Sequence, residues 1–539
     1  MYNMKHLEAA VAHVNDLQDG EKRQVSVGET DVLLVRLAGK YYAVGAHCTH
    51  YQAPLAEGVL SGNHIVCPWH NAYFNITTGD QQEPPGLDSL ECYQVRIEGE
   101  QVIVSVPENA SGRRLPSMAQ YNSEIDRRTF VILGAGAAGT HAAETLRVAG
   151  YQGRIVMVTQ DDRLPYDRTW LSKDYFIGKV SKEQMPLRSP AFYKDHQIEV
   201  LLNKQAVGVD ATAKTITFAD GDTLNYDALL LATGGKPRKM DVPGNDLQNI
   251  FTLRSFDDTE KILAAARQSK RTVVIGSSFI GMETAAGLTQ QGLEVTVVSP
   301  SSLPFKKILG EEIGKVFQQV HAENGVTFKM GSKVTQFEGN GKVEAVILDN
   351  GDRISADLVV VGIGVQPATE FLQGVELHPK DQSVQVDEYL QAADGLYAAG
   401  DIARFPDWHT GEHIRVEHWR LAAQQGRIAA YNMAGHSVKY RGVPVFWTMQ
   451  FQFPLRYVGH AEQWDEIIFN GDLQQRQFIA FYVKDNQVLA AASSQRDTET
   501  AAISELLRLN QMPSKDALRD PSVDLVELLQ QRGGISASE

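Results

Sequence analysis

Residues 129–160 read TFVILGAGAAGTHAAETLRVAGYQGRIVMVTQ. An apolar run, TFVIL, leads into GAGAAG at 134–139, then a helix-like segment, then a second apolar run, RIVMV. A G-x-G-x-x-G alone is a weak signal. Between a strand and a helix it predicts a dinucleotide-binding turn, because helix N-terminal amides can meet a pyrophosphate. The acid expected on the ribose roughly twenty positions further on is replaced by Gln160, with Asp161 next to it. Glutamine can bond a ribose hydroxyl, without charge assistance.

Moving outward, TVVIGSSFIGMETAAGLTQQGLEVTVVS at 272–299 repeats the plan of strand, small-residue turn, helix and strand. Gly276 and Gly281 frame this turn, and Ser278 stands where the middle glycine usually is. The second strand ends at Ser299, where an NAD-preferring site has an acid, and Pro300 rather than an arginine follows. Lys306 and Lys307 come a few residues later, so NADH and NADPH both stay open. The next helix, LGEEIGKVFQQVHAENGV, carries Ile313, Val316, Phe317 and Val320 on one face. That face is scaffold, and His321 beside it is structural.

On the N-terminal side the texture differs. Runs such as DVLLVRLAGKYYAVGA and ECYQVRIEGEQVIVSV, divided by glycine turns, predict an all-β segment over 1–107. Residues 108–126 lose periodicity and gain Pro, Ser, Gly and Asn, which reads as a linker. From about residue 440 aromatic-rich, strand-like runs take over, and the tail from about 529 is expected to fray.

Composition bounds the function. Fifty-one basic against 66 acidic residues give a net charge of -15, which argues against a nucleic-acid partner. No run approaches the ~20 apolar residues of a membrane span, and the start has no apolar core of a signal peptide. Three cysteines in 539 residues make no disulfide framework. Together these predict a cytoplasmic protein.

Two of those cysteines sit in C-x-H at 48–50 and C-x-x-H at 67–70, sixteen residues apart. Cys48, His50, Cys67 and His70 suit a tetrahedral zinc, or a Rieske [2Fe–2S] centre with two Cys on one iron and two His on the other. The ligand set alone does not choose. The surrounding residues do: CTH at 48–50, LAEGVLSG at 55–62, CPWH at 67–70 and TTG at 77–79 resemble the Rieske ferredoxin family. Cys92 has no such partner and is expected to be a small core residue.

High-potential Rieske proteins bridge their two loops with extra cysteines, where this chain has Gln52 and Trp69. They also place Ser and Tyr hydroxyls after the second histidine, where this chain has Ala72 and Phe74. Hydrogen bonds to cluster sulfur raise the potential, so their absence predicts the low end of the Rieske range, about -150 mV. The usual glycine after the second histidine is Asn71, a residue that tolerates left-handed backbone angles.

LPYDRTWLSK (164–173), LLLATGGKPR (229–238) and GLYAAGD (395–401) are spaced as in two-dinucleotide flavoprotein reductases. With them, almost the whole chain resembles the apoptosis-inducing-factor-like flavoproteins that carry an N-terminal Rieske domain. Their wider kin are ferredoxin and rubredoxin reductases. The resemblance implies a multidomain architecture: an all-β Rieske domain (1–107), the linker (108–126), and an α/β FAD domain in two parts (127–245 and 369–440). A Rossmann-like NAD(P) domain (246–368) interrupts the FAD domain, and an α+β reductase-type domain (441–539) closes the chain.

It also implies site residues. Gly134, Gly136 and Gly139 would cradle the FAD pyrophosphate, with Gln160 on the ribose and Thr233 and Gly234 in the second flavin motif. Asp401 would accept a hydrogen bond from the ribityl chain. Arg168 and Lys173 would lie along the flavin, and Glu283 would pair with Lys173 near flavin N5 as the catalytic pair. Glu417, His418 and Trp419 would sit at the pyrimidine end, with Phe446 and Trp447 lining the pocket. Gly276 and Gly281 would serve NAD(P)H. The family commonly has proline where this chain has Thr169 and Trp170, and Trp170 would shield the flavin or gate its face.

Residues 108–539 contain no cysteine, so no redox-active pair can take electrons from the flavin. A nicotinamide gives two electrons as hydride, a Rieske cluster takes one at a time, and flavin handles both. The expected path is NADH or NADPH to FAD to [2Fe–2S] to an unknown acceptor, an oxygenase or other redox protein. The 19-residue linker reaches roughly 65 Å at full extension, enough for the Rieske domain to dock over the flavin and to swing away. The competing expectation is a redox sensor whose reduction changes conformation or oligomer state. Monomer and homodimer both fit.

Overall fold

A computed structural model describes residues 5–532. The expected fraying of the tail falls in part on 533–539, outside the described residues. The N-terminal unit is a six-stranded antiparallel sheet, in the order His6–His13, Gln101–Pro107, Cys92–Glu98, Lys40–Gly45, Thr30–Leu37, Lys22–Val27. A second sheet of Val59–Ser61, His64–Val66, Tyr73–Asn75 and Gln81–Glu83 carries the loop of Cys67 and His70 between its second and third strands, while the loop of Cys48 and His50 follows Lys40–Gly45 of the first sheet.

The glycine-turn segments build two separate sheets. Thr129–Leu133 lies between Arg154–Val158 and Ala228–Leu231, all parallel. Arg271–Ile275 lies between Glu294–Ser299 and Leu358–Val361, also parallel. In each sheet the first strand has one neighbour close in sequence and one distant. That is the topological switch point at which open α/β sheets leave a crevice. The strands are apolar throughout (FVIL, TVVI) because both faces are covered: in the second sheet Val274 and Val297 pack on helix residues Met282 and Phe317, and Val273 and Val298 on Phe337 and Val346 of a small antiparallel sheet.

The last unit is a five-stranded antiparallel sheet, Val445–Gln450, Phe453–Gly459, Gln487–Ser494, Gln477–Lys484 and Glu466–Asp472, backed by the helix Asp497–Arg508. Its core is not private. Val59, Val66 and Tyr73 of the N-terminal unit join Val445, Val458, Phe481, Leu506 and Leu529 in one apolar cluster.

Two expectations need correction. The segment 108–126 is tied down: Arg113–Arg114 pairs with Ser89–Leu90, and the Ala119 and Asn122 amides donate to Arg147 and Gln152 carbonyls at 2.8 Å. Its polar, glycine-rich composition hides these contacts because they use backbone groups. Cys92 is exposed rather than core. It opens the strand Cys92–Glu98, whose alternation turns Tyr93 inward and Cys92 outward. His321 is fully buried, its ring nitrogens facing the carbonyls of Phe317 and Met282, as a structural histidine should be.

Candidate redox site

A cavity of ≈ 470 Å³ opens at the carboxyl ends of the two parallel sheets. Gly134, Gly136, Gln160, Arg168, Lys173, Thr233, Gly234, Glu283, Asp401, Glu417, His418, Trp419, Phe446 and Trp447 all border it. The three glycines of the first motif do different work. Gly134 has φ +118°, and a Cβ there would stand 2.1 Å from the Ala232 carbonyl oxygen. At Gly139 a Cβ would meet the Gly134 oxygen at 1.8 Å, so this glycine lets helix and strand approach and does not reach the cavity. Around Gly136 nothing lies within 4 Å of such a Cβ. The space left free there is the cavity itself, and it fits a pyrophosphate held against the helix Ala137–Val148.

In the second motif Gly276 and Gly281 repeat the packing roles, with clashes of 2.1 and 2.3 Å to the Gly362 and Gly276 oxygens, and both lie off the cavity. Ser278 takes the Gly136 place, precedes the helix Phe279–Gln290, and borders the cavity. Ser299 is buried, its hydroxyl bonded by that of Ser277 at 2.8 Å.

Lys173 and Glu283 meet at 3.0 Å. Glu283 also accepts from the Ser172 hydroxyl at 2.5 Å and the Thr448 hydroxyl at 2.6 Å. Two segments, 172–173 and the strand Val445–Gln450, thus fix one carboxylate, and that carboxylate fixes the lysine. Asp401 accepts from Arg254 Nη2 at 2.6 Å, and Asp161 pairs with Arg168 at 2.8 Å. Arg254 is a cavity residue that the sequence did not flag. Burial, with a smaller push from His460, holds His418 down at about 4, so its imidazole is neutral near pH 7.

The cysteine–histidine loops share one backbone plan. The Cys48 amide donates to Ala53 and the Gln52 amide to Cys48, at 2.9 and 3.0 Å. The Cys67 amide donates to Ala72 and the Asn71 amide to Cys67, at 2.9 and 3.2 Å. Gln52 and Asn71 turn each loop in the left-handed region, at φ 60° and 55°. Both cysteines are buried, and His50 Nδ1 and His70 Nδ1 face each other at 3.1 Å. Burial lowers the pKa of both imidazoles, to about 3 for His50, which favours the neutral form that binds iron. Two thiols and two neutral imidazoles on paired loops fit a two-iron cluster.

The loops do not face solvent. His70 packs on Trp447, with ring centroids 4.1 Å apart. Tyr51 stacks on Trp170 at 5.4 Å, donates to Asp167 at 2.9 Å, and its hydroxyl lies 3.3 Å from that of Thr169. Thr169 and Trp170, the two departures from the reductase pattern, are thus the residues met by the N-terminal unit. Trp170 lies outside the cavity wall, so it shields the docked loop rather than the cavity.

Three family matches cover the chain: Rieske [2Fe-2S] domain over residues 8–94, pyridine nucleotide-disulphide oxidoreductase over 128–426, and reductase C-terminal over 445–529. Apoptosis-inducing factor 3 of Homo sapiens is 40% identical across 98% of this chain and 88% of its own length. Putidaredoxin reductase CamA of Pseudomonas putida is 32% identical across 74% of this chain and 96% of its own. Among solved structures, the covalent putidaredoxin reductase–putidaredoxin complex superposes with a TM-score of 0.71 at 31% identity, covering 75% of this chain and 98% of that one. Fold, cofactor seats and relatives agree: the chain belongs to the pyridine nucleotide-disulphide oxidoreductase family, as a ferredoxin-reductase-like, FAD-dependent NAD(P)H oxidoreductase with a Rieske [2Fe–2S] domain.

Proposed function

We propose that the chain carries electrons from NAD(P)H through FAD to its own Rieske cluster, and from there to an outside redox protein. One observation carries the reading. Trp447 forms part of the flavin cavity wall and at the same time packs on His70. A single indole therefore spans the gap between the two cofactor seats.

A bound flavin accepts hydride from a nicotinamide and releases electrons singly to an iron–sulfur centre. The residues supply the rest. Gly136 leaves the backbone open to the pyrophosphate, Gly134 lets the turn pack on Ala232, and Asp401 and Glu417 bring acceptors to the cavity. Lys173, held by Glu283, keeps a cation at the wall where negative charge develops as the flavin is reduced. His418 adds no charge, being neutral. Tyr51, Thr169 and Trp170 seat the Rieske loop and keep water from the junction. A tethered, docked donor and acceptor make the transfer intramolecular. The outside acceptor is proposed by analogy with the relative that is crosslinked to putidaredoxin. The free cysteines are the ground for proposing a reducing, cytoplasmic setting.

The test is an anaerobic titration with NADH and separately NADPH, following flavin by absorbance and cluster by low-temperature EPR. A Rieske signal that grows as the flavin bleaches is the expected result. Trp447→Ala is expected to slow that growth while leaving flavin bleaching at its original rate. Bleaching with an EPR-silent cluster would move the redox-sensor reading to the front.

A further inference from the structure

Two guanidinium groups from the reductase part of the chain grip the loop that carries His70. Arg456, on the strand Phe453–Gly459, donates Nε to the Trp69 carbonyl at 2.8 Å. Arg420, in the first turn of the helix Trp419–Met433, donates Nη2 and Nε to the Asn71 carbonyl at 2.7 and 3.1 Å. The same Nε lies 3.1 Å from the Pro84 carbonyl, and Nη1 lies 3.4 Å from that of Val443. The peptide groups on both sides of one cluster ligand are thus held by cations from two other units. Both side chains are buried, at 2% exposure for Arg420 and 9% for Arg456.

Their charges are balanced differently. Arg456 pairs with Asp497. Arg420, among the described residues, bonds only carbonyl oxygens, and no carboxylate lies within ion-pair reach. Two acidic groups of the neighbourhood are engaged elsewhere: Glu505, across the Tyr73 ring, pairs with Arg508, and Glu83 accepts from Gln424. Burying an unpaired cation is costly, and a neutral donor could bond the same carbonyls without that cost. What a neutral donor cannot do is favour negative charge nearby. The group beside it that changes charge is the cluster.

The geometry points to Arg420 as a positioning residue that also raises the reduction potential of the docked cluster. The inference rests on the electron-transfer reading above. In the step concerned, reduced flavin loses one electron and the cluster gains one. The cluster's net charge falls by one, and no protein bond is made or broken. A fixed buried cation on the Asn71 carbonyl, one residue past His70, stabilises the more negative product and draws the electron forward. It offsets the missing hydroxyls at Ala72 and Phe74, which by themselves set the potential low.

The test is a mediator-coupled titration of the full-length holoprotein, without NAD(P)H, read by EPR of the cluster. Arg420→Met is expected to lower the ratio of reduced to oxidised cluster at fixed potential about tenfold, ~59 mV for a one-electron couple. Arg420→Lys keeps the charge and loses the fork, and is expected to retain most of the wild-type potential. Asp497→Asn strips Arg456 of its counter-ion and is expected to shift the potential upward. A purely structural role would not give opposite signs. Equal falls in the Met and Lys variants, or an unmoved potential in Arg420→Met, would overturn the proposal. If Arg420→Met does not fold, Arg420→Gln, which keeps a donor and loses the charge, takes its place: the same fall supports the proposal and an unmoved potential overturns it. Failure of the electron-transfer reading would show separately, as a cluster that titrates normally with mediators but stays oxidised under NAD(P)H.

Discussion

Alanine at Gly136 and alanine at Gly139 should fail for opposite reasons. At Gly139 the new methyl would stand 1.8 Å from the Gly134 oxygen. Real Cβ contacts do not go below 3.0 Å, so helix and strand must part by more than 1 Å. Overpacking of this kind costs ~1–3 kcal/mol, and a backbone obstacle that cannot rotate away puts the change at the upper end. About 3 kcal/mol is a loss of roughly a hundredfold in the folded-to-unfolded ratio. Gly136 is in extended backbone, at φ -84° and ψ -159°, with open space around it. There alanine restricts the unfolded chain, a gain of ~0.4–1 kcal/mol, and is a poorer helix cap, a loss of ~0.5–1 kcal/mol. The net effect on the flavin-free protein should lie within about 0.5 kcal/mol of zero. Its methyl would occupy the pyrophosphate space, so FAD affinity should fall about a hundredfold. The assay pairs melting of flavin-depleted protein with FAD rebinding by fluorescence quenching. Gly139→Ala should melt early, and Gly136→Ala should melt normally and rebind poorly. A Gly136→Ala protein that binds FAD like the wild type would refute the assignment of that space to the pyrophosphate.

Other expectations follow from the same site. Glu283→Gln strands a half-buried Lys173 and should cost ~3–5 kcal/mol, while Lys173→Met with Glu283→Gln should cost less than the two singles summed; unfolding followed by flavin fluorescence measures both. Burial holds His418 at about 4, below its ordinary 6.5, so between these values the unfolded chain binds more protons and stability is lost as pH falls through that window. His418→Asn should flatten the dependence of the melting temperature between pH 7 and 4.5 without abolishing it, because His141 is lowered to about 4 by the same cause. Tyr51→Phe leaves the buried Asp167 without one donor, a loss of ~1–3 kcal/mol at the junction. It should speed hydrogen exchange in residues 48–53, and unchanged exchange there would show that Tyr51 does not hold the loop.

What was legible in the sequence was what local geometry demands. Gly134 and Gly276 sit at φ angles that other residues avoid, so the turns announced themselves. Cys48, His50, Cys67 and His70 were readable because both ligand pairs lie within single short loops. Arg254 meeting Asp401, and Ser172 and Thr448 meeting Glu283, were not, since those contacts join residues over a hundred positions apart with no periodic signal. Arg420 was hidden in plain view, directly after the expected Glu417, His418 and Trp419. A buried arginine bonded to carbonyls leaves no mark in composition, because its partners are backbone atoms that every residue has. Thr169 and Trp170 were visible as departures, but their reason lies in Tyr51, on another unit.

The apolar cluster shared by Val59, Val66 and Tyr73 with Val445, Phe481 and Leu529 bears on ancestry as much as on packing. A fusion of two proteins is at first a change in address, and reversible. Once side chains from both partners fill one interior, separation exposes grease on each half, and each half must be resurfaced before it can live alone. By that standard the union here is entrenched. A recombinant that exchanged the first hundred residues for those of a cousin would have to bring matching residues at 59, 66 and 73, or carry a scar on the last domain.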